Sequence, residues 1–120
     1  MKWNQVEFIK DVARSTYLHQ GFVRITNNGN GYVGMAGGTE CNVICGTVKL
    51  NVYLERSSGD GNFYSYMKWE NVDYNEASLY MSKQVKVEKG YYYRLRGYHS
   101  CTKNGVTENG GSRTDGIYIG

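Results

Sequence analysis

Apolar and polar positions alternate one for one along the middle of the chain. Val48, Leu50, Val52 and Leu54 interleave with Lys49, Asn51, Tyr53 and Glu55. Successive side chains of a strand point to opposite faces, so this period of two predicts a strand buried on one side. The pattern recurs twice. It sets Phe63, Met67 and Trp69 against Tyr64, Tyr66, Lys68 and Glu70, then Leu79, Met81, Val85 and Val87 against Tyr80, Ser82, Gln84, Lys86 and Glu88. Tyr17–Thr26, Tyr32–Ala36 and Tyr91–Cys101 read as further strands, with Ile117 and Ile119 in a short last one.

Glycine and asparagine punctuate these runs. Asn27-Asn28-Gly29-Asn30-Gly31 and Lys103-Asn104-Gly105 predict turns, since both residue types tolerate positive φ. Ser57–Asn62 reads as a loop, Gly37-Gly38 as a break, and the Gly/Asn-rich stretch 104–116 as a flexible connection. Residues 4–13 fit a short helix. Asn4 and Glu7 have capping-box spacing, and Val6, Ile9 and Val12 share a face, although Val6 and Phe8 also suit a strand. The reading is therefore an N-terminal leader or short helix over 1–16 and a single domain over 17–120. About seven strands at this spacing predict an all-β, two-sheet antiparallel sandwich, with a small barrel as the alternative.

Composition agrees. Sixteen glycines, twelve tyrosines and no proline favour strands and turns, and 120 residues fit one domain. A net charge of +3, with no run of Lys and Arg, does not call for nucleic acid. No stretch is apolar enough to span a bilayer as a helix. The first residues, Met1-Lys2-Trp3-Asn4-Gln5-Val6, lack a signal-peptide h-region, so the expectation is a cytosolic protein or one whose signal has been removed.

Catalytic constellations are missing from the pattern. There is no Gly-x-Ser-x-Gly elbow, no His-Glu-x-x-His run and no phosphate loop, and His19 and His99 are the two histidines. Glu70, Asp73 and Glu76 lie close in sequence, as paired carboxylates of a small hydrolase would, but read better as a solvated face. The expectation is a non-enzyme with no cofactor.

Gly90-Tyr91-Tyr92-Tyr93-Arg94-Leu95-Arg96-Gly97 resembles the sixth strand of a fibronectin type III-like or immunoglobulin-like sandwich. Tyr93 matches the tyrosine-corner position, whose hydroxyl bonds nearby backbone. Ile25–Gly31, Cys45–Arg56, Lys89–Ser100 and Asp115–Ile119 together are similar to a family of small proteins exported by Gram-positive bacteria and classed as a domain of unknown function. That resemblance implies a secreted sandwich and carries no catalytic residues; Cys41 departs from its pattern.

In a fibronectin-like order, the strand holding Val48 runs beside the one holding Cys101, which places Cys45 near Cys101. A Cys45–Cys101 disulfide follows, with a bulge at Gly46 correcting the parity. Cys41–Cys101 is the rival, and Cys41–Cys45 a third arrangement. A metal reading takes Cys41, Cys45, His99 and Cys101 as a tetrahedral zinc set; the plainer one is a disulfide and a surface histidine.

The outward parities of these two strands offer Lys49, Asn51, Tyr53 and Glu55 on one and Tyr92, Arg94, Arg96 and Tyr98 on the other. Tyr supplies rigid contact area and Arg forked donors, which suits recognition of a protein or glycan. A wet sheet face stabilised by cross-strand stacking is the plainer reading. The expected function is a non-catalytic extracellular binding module using Tyr53, Tyr92, Arg94, Arg96 and Tyr98. A secreted effector (toxin, bacteriocin-like factor or inhibitor) is the alternative.

Overall fold

A computed structural model describes residues 5–8 and 16–120. Those residues form seven strands and no helix: β1 (Gln5–Phe8), β2 (Leu18–Gly29), β3 (Tyr32–Ser57), β4 (Tyr64–Lys86), β5 (Tyr91–Lys103), β6 (Val106–Arg113) and β7 (Ile117–Ile119). All pairings are antiparallel. The class is all-β, as alternation predicts.

The frame is a ribbon of two long strands. β4 pairs with β3 from Tyr32↔Lys86 to Arg56↔Tyr64. The first part of β3 also pairs with β2, and its second part with β5. β1 extends the sheet beyond β2, while β6 and β7 both pair with β5. The ribbon curls, so β2 packs against β5 and β6 with no ladder between them. Val23, Ile25, Val33, Met35, Leu50, Val52, Leu54, Tyr93, Leu95 and Ile119 meet inside the curl, fully buried. The product is one curled antiparallel sheet, 46 × 23 × 22 Å, where alternation predicts two separate sheets. The difference arises because β3 and β4 run unbroken through both layers.

Three local expectations need correcting. Gly37-Gly38 does not break the strand; both residues are laddered to β2 and β4. Gly38 is small because the sheet needs it to be: an added Cβ falls 2.5 Å from the Phe22 ring and 2.6 Å from the Tyr80 ring. The stretch 104–116 holds a strand, β6, on the open side of β5. Residues 5–8 of the proposed helix are a strand paired with Phe22–Ile25; the rest of that helix lies outside the described residues.

The turns match their chemistry. Asn30-Gly31 and Asn104-Gly105 are two-residue hairpin loops with φ of 56°, 80°, 52° and 77°. Positive φ at both positions is the primed turn, whose twist suits flanking strands. The tyrosine corner is formed too: Tyr93 is buried and its hydroxyl donates to the Glu88 carbonyl at 2.5 Å.

Candidate functional site

The pairing of β3 with β5 decides which side chains share a face. Val48, Leu50, Val52 and Leu54 oppose Cys101, His99, Gly97 and Leu95, all turned inward. The intervening pairs are Asn51↔Tyr98, Tyr53↔Arg96, Glu55↔Arg94 and Ser57↔Tyr92, turned outward. All five sequence-predicted residues therefore share the outer face of these two strands.

Glu55 organises it. The carboxylate accepts from Arg94 Nε at 2.9 Å and from Arg96 Nε at 3.2 Å. Clamped between two guanidinium groups, Glu55 is itself buried despite its outward parity. Arg94 stacks over Phe63 and Arg96 over Tyr53, each 4.2 Å from the ring centroid. Tyr92 packs against Tyr118 of β7 at 5.0 Å between centroids, and both rings remain exposed. Beside them lies a shallow hollow of about 150 Å³ lined by Ser57, Gly59, Gly61, Phe63 and Tyr92. Two guanidinium groups share one carboxylate here, so the unit keeps a single net positive charge, too small for a phosphate-tracking surface.

Sequence reasoning missed a second aromatic cluster. Arg56 lies between Tyr66 and Tyr91, 4.5 and 4.2 Å from their centroids, and pairs with Glu88 at 3.2 Å. It borders a hollow of about 310 Å³ that Tyr64 also lines. Arg56 ends the alternating run 48–55, which was its one signal in the sequence. The carboxylates at 70–76 do not converge. Glu70 opposes Asn51 on the outer face and borders a hollow of about 200 Å³. Asp73 opposes Val48, whose side chain faces the opposite way, and all three carboxylates are exposed.

His99 is buried, not a surface residue, and among the described residues the group that could hold a metal is Cys41, Cys45 and Cys101 without it. Its Nδ1 is 2.9 Å from Thr39 Oγ1 and its Nε2 is 2.6 Å from Ser112 Oγ. Thr39 gives its hydroxyl proton to the Lys49 carbonyl at 2.8 Å, so Nδ1–H donates to Thr39 and Nε2 accepts from Ser112. Burial drives the imidazole down to about 4, against a weaker upward pull from the Gly38 backbone. A serine, a histidine and an orienting hydroxyl in line are the parts of a nucleophile and its base. Here all three residues are buried, and none lines any of the hollows above. These hydrogen bonds link β3 through β5 to β6.

The cysteines pair as Cys41–Cys101, and Cys45 is a buried free thiol. This corrects the Cys45–Cys101 expectation. Register explains it: Val48 opposes Cys101 and the ladder ends at Thr47↔Thr102, so Cys45 falls two residues beyond its end. Cys41 reaches Cys101 from the other layer, across the curl. The three sulfurs nevertheless lie within 4.8 Å of one another.

These features define a small, disulfide-bearing all-β domain with an arginine-aromatic sheet face. The chain belongs to a family of unknown function, DUF6147, whose model matches residues 4–116. No curated protein and no solved structure matches it. Among the described residues, no helix is long and apolar enough to cross a membrane.

Proposed function

We propose that this protein is a non-catalytic, exported binding module that takes a partner protein or glycan on the β3–β5 face. The observation that carries the reading is the fixing of Arg94 and Arg96. Both are held by Glu55 and stacked on rings before any ligand arrives. Recognition costs less when flexible side chains are already ordered. The exposed rings of Tyr92 and Tyr118, with the hollow beside Phe63, add apolar contact area next to those donors.

Export is supported by the Cys41–Cys101 bridge, because disulfides persist in oxidising compartments. The fibronectin-like reading is supported by strand order. With the parts of β3 and β4 counted separately, one layer holds β2 and the first part of β3 with the end of β4. The other holds the start of β4, the second part of β3, β5 and β6. The Tyr93 hydroxyl bond fits the tyrosine corner of such a sandwich.

The test is a glycan array and affinity capture, followed by titration of each hit against Tyr92→Ala and Arg96→Ala. Neither substitution strands Glu55, because Arg94 still holds it. Each is expected to weaken binding by about tenfold or more, the loss typical of an interface anchor. A ligand bound equally well by both variants would place recognition elsewhere and overturn the proposal.

A further inference from the structure

Cys45 sits where β3 bends from one layer to the other. Glu40 opposes Ser78 and Cys45 opposes Glu76, so five steps along β3 match two along β4. The surplus bulges out, and residues 41–44 have no ladder partner on β4. Cys41 opens this bulge and Cys45 follows its end, while Cys101 is fixed in β5, laddered on both sides. Of the three sulfur-bearing residues, Cys45 and Cys101 are buried and Cys41 alone is part-exposed.

We infer that this nest is a thiol–disulfide exchange site in which Cys45 displaces Cys41 from Cys101, making Cys41 the residue that small disulfides modify. The Cys45 thiol gives up its proton and its sulfur bonds to Cys101 Sγ. The Cys41–Cys101 bond breaks, and its electron pair leaves on Cys41 Sγ. No net oxidation occurs within the protein. The Cys41 thiolate then attacks one sulfur of a small disulfide, forming a mixed disulfide and releasing one small thiolate.

Direction follows from solvation. Attack on Cys101 expels the sulfur of the part-exposed residue, whereas attack on Cys41 would expel a thiolate at the buried Cys101. The better-stabilised leaving group departs faster. Lys103 supports the attacking thiolate: its ammonium holds the Ile44 carbonyl at 3.0 Å and favours ionised Cys45. Burial and Glu108 oppose ionisation, so Cys45 is a slow nucleophile that small reagents cannot approach directly. The nominally free thiol is thus the protected one, and the modified position is a member of the resting disulfide.

Oxidised protein is incubated at mildly alkaline pH with bis(2-hydroxyethyl) disulfide, quenched in acid and mapped by non-reducing peptide mass spectrometry. The expected product carries the adduct on Cys41 and a Cys45–Cys101 bridge. Cys45→Ser, which leaves the resting bridge intact, is expected to cut adduct yield by at least about tenfold, since the attacking thiol is gone. Cys41→Ser is expected to fold with a Cys45–Cys101 bridge and take no adduct. An adduct on Cys45 with Cys41–Cys101 intact overturns the inference. So does a native protein that takes no adduct while its denatured form does.

Discussion

The imidazole of His99 lies between two glycines, and that position governs the response to acid. A Cβ at Gly21 falls 2.3 Å from the ring, and one at Gly97 falls 2.7 Å from Nε2. Only residues without side chains leave the ring room to be enclosed. Enclosure moves its pKa from 6.5 to about 4. Above pH 6.5 both folded and unfolded chains hold a neutral ring. Between the two values the unfolded chain takes up a proton that the folded one refuses, so stability falls as pH drops through this window. The loss is about 3 kcal/mol, at roughly 1.4 kcal/mol per pKa unit, and is complete near pH 4. Urea unfolding at pH 7 and pH 4 checks it; His99→Gln should remove most of the difference. The sequence reading set His99 on the surface, although its parity with Leu95 and Cys101 is the signal that turns it inward. Its partners carry no such signal: Thr39 is 60 residues away in sequence and Ser112 is 13. No local pattern joins residues that meet only after the sheet curls.

Between β3 and β5 the unit of stabilisation is the cross-strand pair. Glu55 serves two such pairs, one direct to Arg94 and one diagonal to Arg96. Glu55→Ala leaves two guanidinium groups on the same strand face with no carboxylate between them. The expected cost is about 1–2 kcal/mol, reflecting charge-assisted bonds of a part-buried acid rather than an exposed ion pair. Guanidinium chloride would mask charge effects, so urea titration is the better measurement. Glu55→Gln, which keeps one acceptor, should lose less. This ladder was readable in the alternation of 48–55 and of 92–98. β6 was not, because Val106-Thr107-Glu108-Asn109-Gly110-Gly111-Ser112-Arg113 has one large apolar residue. With β5 as its one ladder neighbour among the described residues, little burial constrains its sequence. Glu108 still holds it in place, accepting from the backbone N–H groups of Thr16, Tyr17 and Leu18 at 3.1, 2.6 and 2.9 Å.

At the scale of the whole molecule, the disulfide ties the two layers of the curl. It joins residues 60 apart, so reduction should lower stability by about 4 kcal/mol in the chain-entropy account. Chemical denaturation with and without reductant tests this; an unchanged midpoint would mean that the buried sheet alone supplies the constraint. The all-β class, both tight turns and the Tyr93 corner were legible because each depends on a few neighbouring residues. The single curled sheet and the Cys41 pairing were not. Both follow from β3 continuing through Gly37-Gly38 and its bulge; Gly38, which looks like punctuation, makes room for the rings of Phe22 and Tyr80.

The position of the bridge also determines how the molecule bears load. Tension applied at the two ends of the chain reaches β1, β2, β6 and β7 but stops at Cys41 and Cys101. The 60-residue span between them, which includes all of β4, is shielded from the pull. Stretched from its ends, the oxidised chain therefore stays about 200 Å shorter than the reduced one, at roughly 3.4 Å per extended residue. The outward face of β3 and β5 lies almost wholly inside that shielded span, so a partner held there keeps its footing while the ends of the domain give way.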